Sequence, residues 1–313
     1  MKELFWNTLS VLFLVPLCWV ALLAQDVKYP ALSESKVVIQ GDSGHWDYNK
    51  AHTLSVVEAN KDGYKYWGYY GLSYYGGDPA LRKAGLARSN DLVHWDKYEG
   101  NPIINGDCRW PNVILDHSIF YMFYAEYNAD NDSRIVMVTS KDGINFGNKV
   151  VVVPRELGKQ NQNPFIYFNK QDGYFYLTYY SGIERSKDST KNVWKIKLKR
   201  NKNIAKLKRA KATILLSSKD LIAAPSVAFF NNRYYLLVES RIVGKWDSKW
   251  VTLAYESNKI DSEYNEVSNN PVLFNNDACA FQYVFDNQLY IFYSHCLDRE
   301  QWNWELKMVR AIK

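Results

Sequence analysis

Between residues 52 and 295, apolar and polar positions alternate in a unit that occurs five times. Each copy is a short apolar strand, a turn rich in Asp, Asn and Gly, and a second strand rich in aromatic residues. The copies run His52–Leu72, Pro111–Glu126, Pro164–Gly182, Pro225–Glu239 and Ala280–His295. Their starts lie roughly fifty residues apart, the period of a four-stranded propeller blade. Two further strand pairs follow the first two copies, Ala84–Ile104 and Ile135–Val153. Each carries Ser-x-Asp in its turn and an aromatic soon after: Ser89, Asp91 and Trp95, then Ser140, Asp142 and Phe146. Such turns close an outer hairpin. The pattern therefore predicts an all-β fold, a five-bladed β-propeller. The fifth copy is followed by one strand only, Glu305–Lys313. Ser35–Gln40 is the expected donor of its fourth strand, which would close the ring and leave no free edge. A two-sheet sandwich would not explain the period, and no helical pattern competes over a useful length.

The N-terminus follows a different pattern. Residues 1–24 hold one early lysine, Lys2, and an apolar run that stops at Gln25-Asp26. They read as a secretory signal cleaved after Ala24, with an uncleaved single-span anchor as the alternative. The remainder, 25–313, is expected to be one exported propeller domain without stable membrane insertion once the signal is removed. Of its three cysteines, Cys279 and Cys296 flank a hairpin turning at Asp286-Asn287. A cross-strand disulfide and two buried thiols are both compatible with that placement. No Cys/His spacing resembles a metal site, and no cofactor is implied.

Composition adds that 24 Tyr and 11 Trp occur in 313 residues. Most of the Tyr fall in the second strands of the five hairpins, where they pack blades, so only the few aromatics near one face argue for a flat ligand. The net charge of +6 is local. Lys195 to Lys211 holds nine basic residues and no acid, and the alternation Lys195-Ile-Lys-Leu-Lys199 reads as a strand with one wet face. A solvated edge and a patch for an anionic glycan or membrane are the two readings. Nucleic acid is not an expected partner, because no binding motif accompanies the charge.

Propeller geometry selects the candidate chemistry. The N-terminal ends of the first strands and the C-terminal ends of the second strands open on one face. They bring together Asp47 and Lys50, Asp107 and Arg109, Asn161 and Asn163, Ala223 and Ala224, and Asp277. They also bring Ser73, Glu126, Ser181 and Glu184, Glu239 and Arg241, and His295. Trp46, Trp110 and Tyr127 lie beside them. A mouth with carboxylates and aromatic rings suits glycosidic chemistry: one carboxylate activates water or attacks, and a second protonates the leaving oxygen. Asp47 is one of the candidate carboxylates. Glu239, Glu126 and His295 are rival proton donors, with Arg241 expected beside Glu239 and Arg109 beside Glu126. Trp46, Lys50, Asp107, Arg109, Trp110, Asn163, Arg241 and Asp277 are the expected substrate-binding residues.

The chain resembles the five-bladed propeller glycoside hydrolases, the broad group that includes families 43, 32, 62, 117 and 130. The resemblance is carried by Ala87-Arg-Ser-Asn-Asp-Leu-Val-His-Trp95 with Gly100-Asn-Pro-Ile-Ile104. Trp110-Pro-Asn-Val113, Asn163-Pro-Phe165 and Ala224-Pro-Ser-Val227 also carry it. It implies a glycosidase with a carbohydrate substrate, a base Asp on the first strand of blade one, which by position is Asp47 as base or nucleophile, and a Glu acid, or a His acid as in family 117, a part open to His295. At positions where such proteins often carry acids, this chain has Asn112 and Ala223-Ala224. Those departures motivate the alternatives of a glycan-binding propeller without catalysis and of a transglycosylase in polysaccharide assembly.

Overall fold

The computed structural model describes residues 26–72, 81–182, 193–241 and 249–312. The proposed signal, Ser73 and Glu184 lie outside them. Twenty strands form five four-stranded antiparallel sheets arranged as the blades of a propeller. A lone strand, β1 (Lys36–Ile39), comes first. Blade one is β2 (Ala51–Lys61), β3 (Tyr64–Leu72), β4 (Ala84–Ser89) and β5 (Asp96–Lys97). Blade two is β6 (Arg109–Asp116), β7 (Ile119–Tyr127), β8 (Ser133–Ser140) and β9 (Gly147–Val153). Blade three is β10 (Gln160–Asn169), β11 (Tyr174–Gly182), β12 (Trp194–Asn201) and β13 (Thr213–Ser218). Blade four is β14 (Ile222–Phe230), β15 (Arg233–Ser240), β16 (Val251–Ser257) and β17 (Asn265–Glu266). Blade five is β18 (Asp277–Phe285), β19 (Gln288–Asp298) and β20 (Asn303–Arg310), completed by β1, which pairs antiparallel with β20 through Lys36–Met308 and Val37–Lys307. The expected ring closure is therefore observed.

Aromatic second-strand residues fill the spaces between blades. Trp67 and Tyr69 of blade one pack with Phe120 and Met122 of blade two, and Tyr176 and Tyr180 of blade three pack with Val227 and Leu236 of blade four. The outer strands of blades one and four are only two residues long. There an Asn side chain replaces strand pairing. Asn101 accepts from Leu86 N–H at 2.8 Å and donates to Leu86 O at 2.9 Å, and Asn270 does the same with Ala254.

One expectation needs correction, and one open alternative is decided. The lysine face of β12 is not a wet face: Lys199 is buried and donates to Val152 O at 2.8 Å, because blade three packs this side against blade two. Cys108, Cys279 and Cys296 are all buried free thiols. The register explains the absence of a disulfide. Ala278 faces Ser294 and Asp277 faces His295, while Cys279 sits in a bulge with no partner opposite.

Candidate active site at the axial mouth

All five inner strands carry the same local irregularity. Near its N-terminal end each has one residue with positive φ: Thr53 (50°), Trp110 (51°), Asn163 (50°), Ala224 (44°) and Cys279 (48°). At each of these points the pairing with the second strand slips. Such a conformation is unfavourable for non-glycine residues, above all for β-branched Thr, and it persists only where surrounding structure enforces it. The five bulges turn side chains and backbone N–H groups toward the axis at one level. Two residues after the Asn163 bulge, Phe165 packs on Phe281 (5.4 Å) and Tyr283 (5.8 Å), joining the inner strands of blades three and five. Ser55 of blade one and Asn112 of blade two clamp neighbouring inner strands, accepting from Val113 N–H at 2.8 Å and Ile166 N–H at 2.9 Å. Asn112, which stands where an acid was expected, is thus a strap between blades.

At the level of the bulges the second strands contribute Gly71, Ala125, Tyr180, Glu239 and Ser294. Blade one needs Gly there, since a Cβ on Gly71 would stand 2.9 Å from Pro111 Cδ. Glu239 is the one carboxylate of this layer and lies opposite Ala223. It is buried, and its Oε2 accepts from Cys279 N–H at 2.9 Å and from the Cys279 thiol at 3.2 Å. Arg241, the partner expected for it, instead lies over the Trp250 ring at 5.6 Å. Burial raises the carboxyl above its ordinary range, partly opposed by the two hydrogen bonds from Cys279. Asn163 reaches the same thiol from blade three at 3.9 Å, and Ser294 accepts from Thr53 N–H at 3.0 Å. Blade five adds a cross-strand pair, His295 Nδ1 lying 2.7 Å from Asp277 Oδ1.

Two expected catalytic carboxylates are elsewhere. Asp47 is 1% exposed, over the flank of blade one between Tyr70 Oη (2.9 Å) and Lys97 Nζ (2.7 Å) of the outermost strand. This ion pair fastens the loop before β2, and it does not face the mouth. Trp46 goes with it and packs on Tyr70 at 5.6 Å. Glu126 is bound by Arg134 at 2.6 and 2.9 Å and by Lys149, both from the outer strands of blade two. Burial alone would raise its carboxyl, but these cations outweigh burial and hold it below its ordinary range. That suits a structural ion triad and not a proton donor. Arg109, the partner expected for it, lies elsewhere.

Lys50 donates to Trp302 O at 2.9 Å and to Gln301 O, joining the loop before β2 to the β19–β20 turn. It borders a rim hollow of about 410 Å³ with Trp46, Tyr48 and Asn303. Asp107, Arg109 and Trp110 stay together at the mouth of blade two. Arg109 lies 4.3 Å from the Tyr127 ring, and Asp107 accepts from Tyr127 N–H at 2.6 Å and from Arg82 at 3.0 Å. Arg82 and Cys279 were not singled out as site residues from sequence. Arg82 precedes a third strand, and Cys279 looks like any small buried residue. Among the described residues no group of three or more His, Cys, Asp or Glu stands close enough to hold a metal ion.

No protein-family model matches the chain, and no curated protein matches its sequence. Solved structures do match its fold. A thermostable family-43 glycoside hydrolase aligns with a TM-score of 0.64 at 15% identity, over 83% of this chain and 88% of that one. The endo-arabinase from Bacteroides thetaiotaomicron aligns with a TM-score of 0.64 at 14% identity, over 89% and 98%. The α-L-arabinofuranosidase from Podospora anserina, solved with cellotriose, gives 0.65 at 13%, over 92% and 99%. The chain therefore has the five-bladed β-propeller fold found in these glycoside hydrolases.

Proposed function

We propose that the protein is an exported glycoside hydrolase that cleaves a poly- or oligosaccharide at the axial mouth. The observation that carries this reading is Glu239. It is a buried carboxyl with no cation paired to it among the described residues, placed at the level where five strained bulges converge. A carboxyl whose pKa burial raises holds its proton to higher pH and can give it to a leaving glycosidic oxygen. The Asp277–His295 pair on the neighbouring blade supplies the opposite function, taking a proton from water. Trp110, part-exposed at the bulge of blade two, offers a ring to a sugar. The solved neighbours support the reading through their names, which describe glycoside hydrolases.

A second reading, a glycan-binding propeller without cleavage, has its own support. The five bulge positions hold Thr53, Trp110, Asn163, Ala224 and Cys279, none of them a carboxylate. The test is product analysis on a glycan panel with the wild type, Glu239→Gln and Asp277→Asn. Hydrolysis lowered about 100-fold or more in both variants supports the enzyme. Binding without products in the wild type supports the second reading, and hydrolysis undiminished in both variants overturns the assignment.

A further inference from the structure

The blade-two side of the mouth holds more positive charge than its packing uses. Arg82 and Arg109 approach the same ring, their guanidinium carbons 5.5 and 4.3 Å from the centre of Tyr127. Arg109 also lies 5.6 Å from the Trp110 ring. One carboxylate serves both cations, and it is committed: Asp107 Oδ1 takes Arg82 Nη1, and Oδ2 takes Tyr127 N–H. The Tyr127 hydroxyl is itself held by Gln162 of blade three. The side chain of Arg82 is 6% exposed, and the Nε–H groups of both arginines are buried without a hydrogen-bond partner. Burial above all, and the neighbouring Arg82, push against the charge on Arg109, and Tyr127 and Asp107 offset them only in part.

Two like charges held this close in a half-desolvated place are costly unless an anion completes them. A guanidinium stacked on aromatic rings keeps a fixed plane, which suits bidentate recognition of a carboxylate or sulfate. Arg109 is one residue from the Trp110 bulge, so an anion bound there would belong to a sugar in the mouth. We propose that Arg109, backed by Arg82, forms a subsite for the anionic group of an acidic sugar, a uronate carboxylate or a sulfate ester. This deepens the glycan-mouth reading and rests on it.

The test is calorimetric binding of trigalacturonate, a sulfated trisaccharide and neutral xylotriose to the full-length protein, at low and at physiological salt. The expected result is that one anionic ligand binds about tenfold or more tightly than xylotriose, with the preference shrinking as salt rises. The two anionic arms decide between carboxylate and sulfate. Arg109→Gln should lower the acidic-to-neutral affinity ratio about tenfold. Arg109→Lys should restore part of it, a rescue that a packing role alone would not give. Equal affinity for all three sugars, or an unchanged ratio in Arg109→Gln, overturns the acidic subsite while leaving a glycan mouth in place. No affinity for any of the three overturns both. Thermal unfolding of each variant separates misfolding from lost recognition, and if Arg109→Gln does not fold, the wild-type ratio and its salt dependence still decide.

Discussion

At the scale of single residues, the candidate carboxylates differ in what holds them. Asp47 and Glu126 are held by cations, whereas Glu239 is held by a thiol and an amide. Both hydrogen bonds from Cys279 lower the Glu239 pKa, opposing the larger upward push of burial. A proton donor works only while protonated, so the rate must fall as pH rises through its pKa. Removing the thiol removes one of the opposing bonds and raises that pKa further. Cys279→Ala should therefore move the alkaline limb of kcat/KM to higher pH, and Cys279→Ser, which keeps a hydroxyl donor, should return it toward the wild type. The replacement keeps a residue with a Cβ at φ 48°, so the bulge itself is unaltered. A limb that stays in place in Cys279→Ala would mean that Glu239 is not the acid. How far these roles were legible depended on sequence distance. Glu126 faces Arg134 across one hairpin, so the register of that hairpin carries the ion pair, whereas weighing only the ends of inner and second strands sets Arg109 beside it. The partners of Asp47 lie on two later strands, and that of Glu239 forty residues away on another blade, so nothing local distinguishes them.

At the scale of elements, alternation, turn chemistry and period were enough to place the inner hairpins, because each is a local unit with one buried face. The outer strands were less legible. In blades one and four the fourth strand nearly disappears, and an Asn side chain takes over its hydrogen bonds, as Asn101-Pro102 and Asn270-Pro271. The Asn-Pro dipeptide after a polar turn is the visible signal. Its second copy is easily passed over because the intervening segment, 258–269, has no apolar alternation. Leu86 and Ala254 are fully buried, so their backbone groups have no water to fall back on. Asn270→Ala should leave the Ala254 N–H unpaired, while Ala254 O keeps the Val267 N–H at 3.2 Å, and cost about 1–3 kcal/mol in urea unfolding. Asn270→Asp, which keeps the acceptor and loses the donor, should fall between. A cost below about 0.5 kcal/mol for Asn270→Ala would show that the amide is incidental.

At the scale of the whole molecule, a propeller is only as closed as the joint between its last and first blades, and here the joint is more than β1. Before that strand, residues 26–35 run along blades four and five. Ser268 N–H donates to Val27 O at 3.0 Å, and Leu32 bridges Ala311. Tyr29 is the anchor: 2% exposed, edge-on to Tyr235 of blade four at 5.1 Å, with its hydroxyl donating to Gln282 of blade five at 3.1 Å. Gln282 in turn donates to Ser226 O and Tyr235 O, so one side chain ties the N-terminal segment to two blades. Tyr29→Ala removes a whole buried ring and should cost about 3–5 kcal/mol. Tyr29→Phe keeps the ring and should cost about 1 kcal/mol, because it removes only the hydroxyl and its bond to Gln282. Removing residues 26–40 goes further, since it bares the β20 edge that β1 covers. An unpaired edge invites pairing with another chain, so the shortened protein should associate in light scattering as its unfolding midpoint falls. If it stayed monomeric with an unchanged midpoint, blade five would be stable with three strands and closure by β1 would not hold the ring. The mouth depends on the same joint. Thr53 N–H on blade one is held by Ser294 on blade five, so a ring that opens there parts blade one from the blade that carries the Asp277–His295 pair, and glycan binding should be lost along with stability.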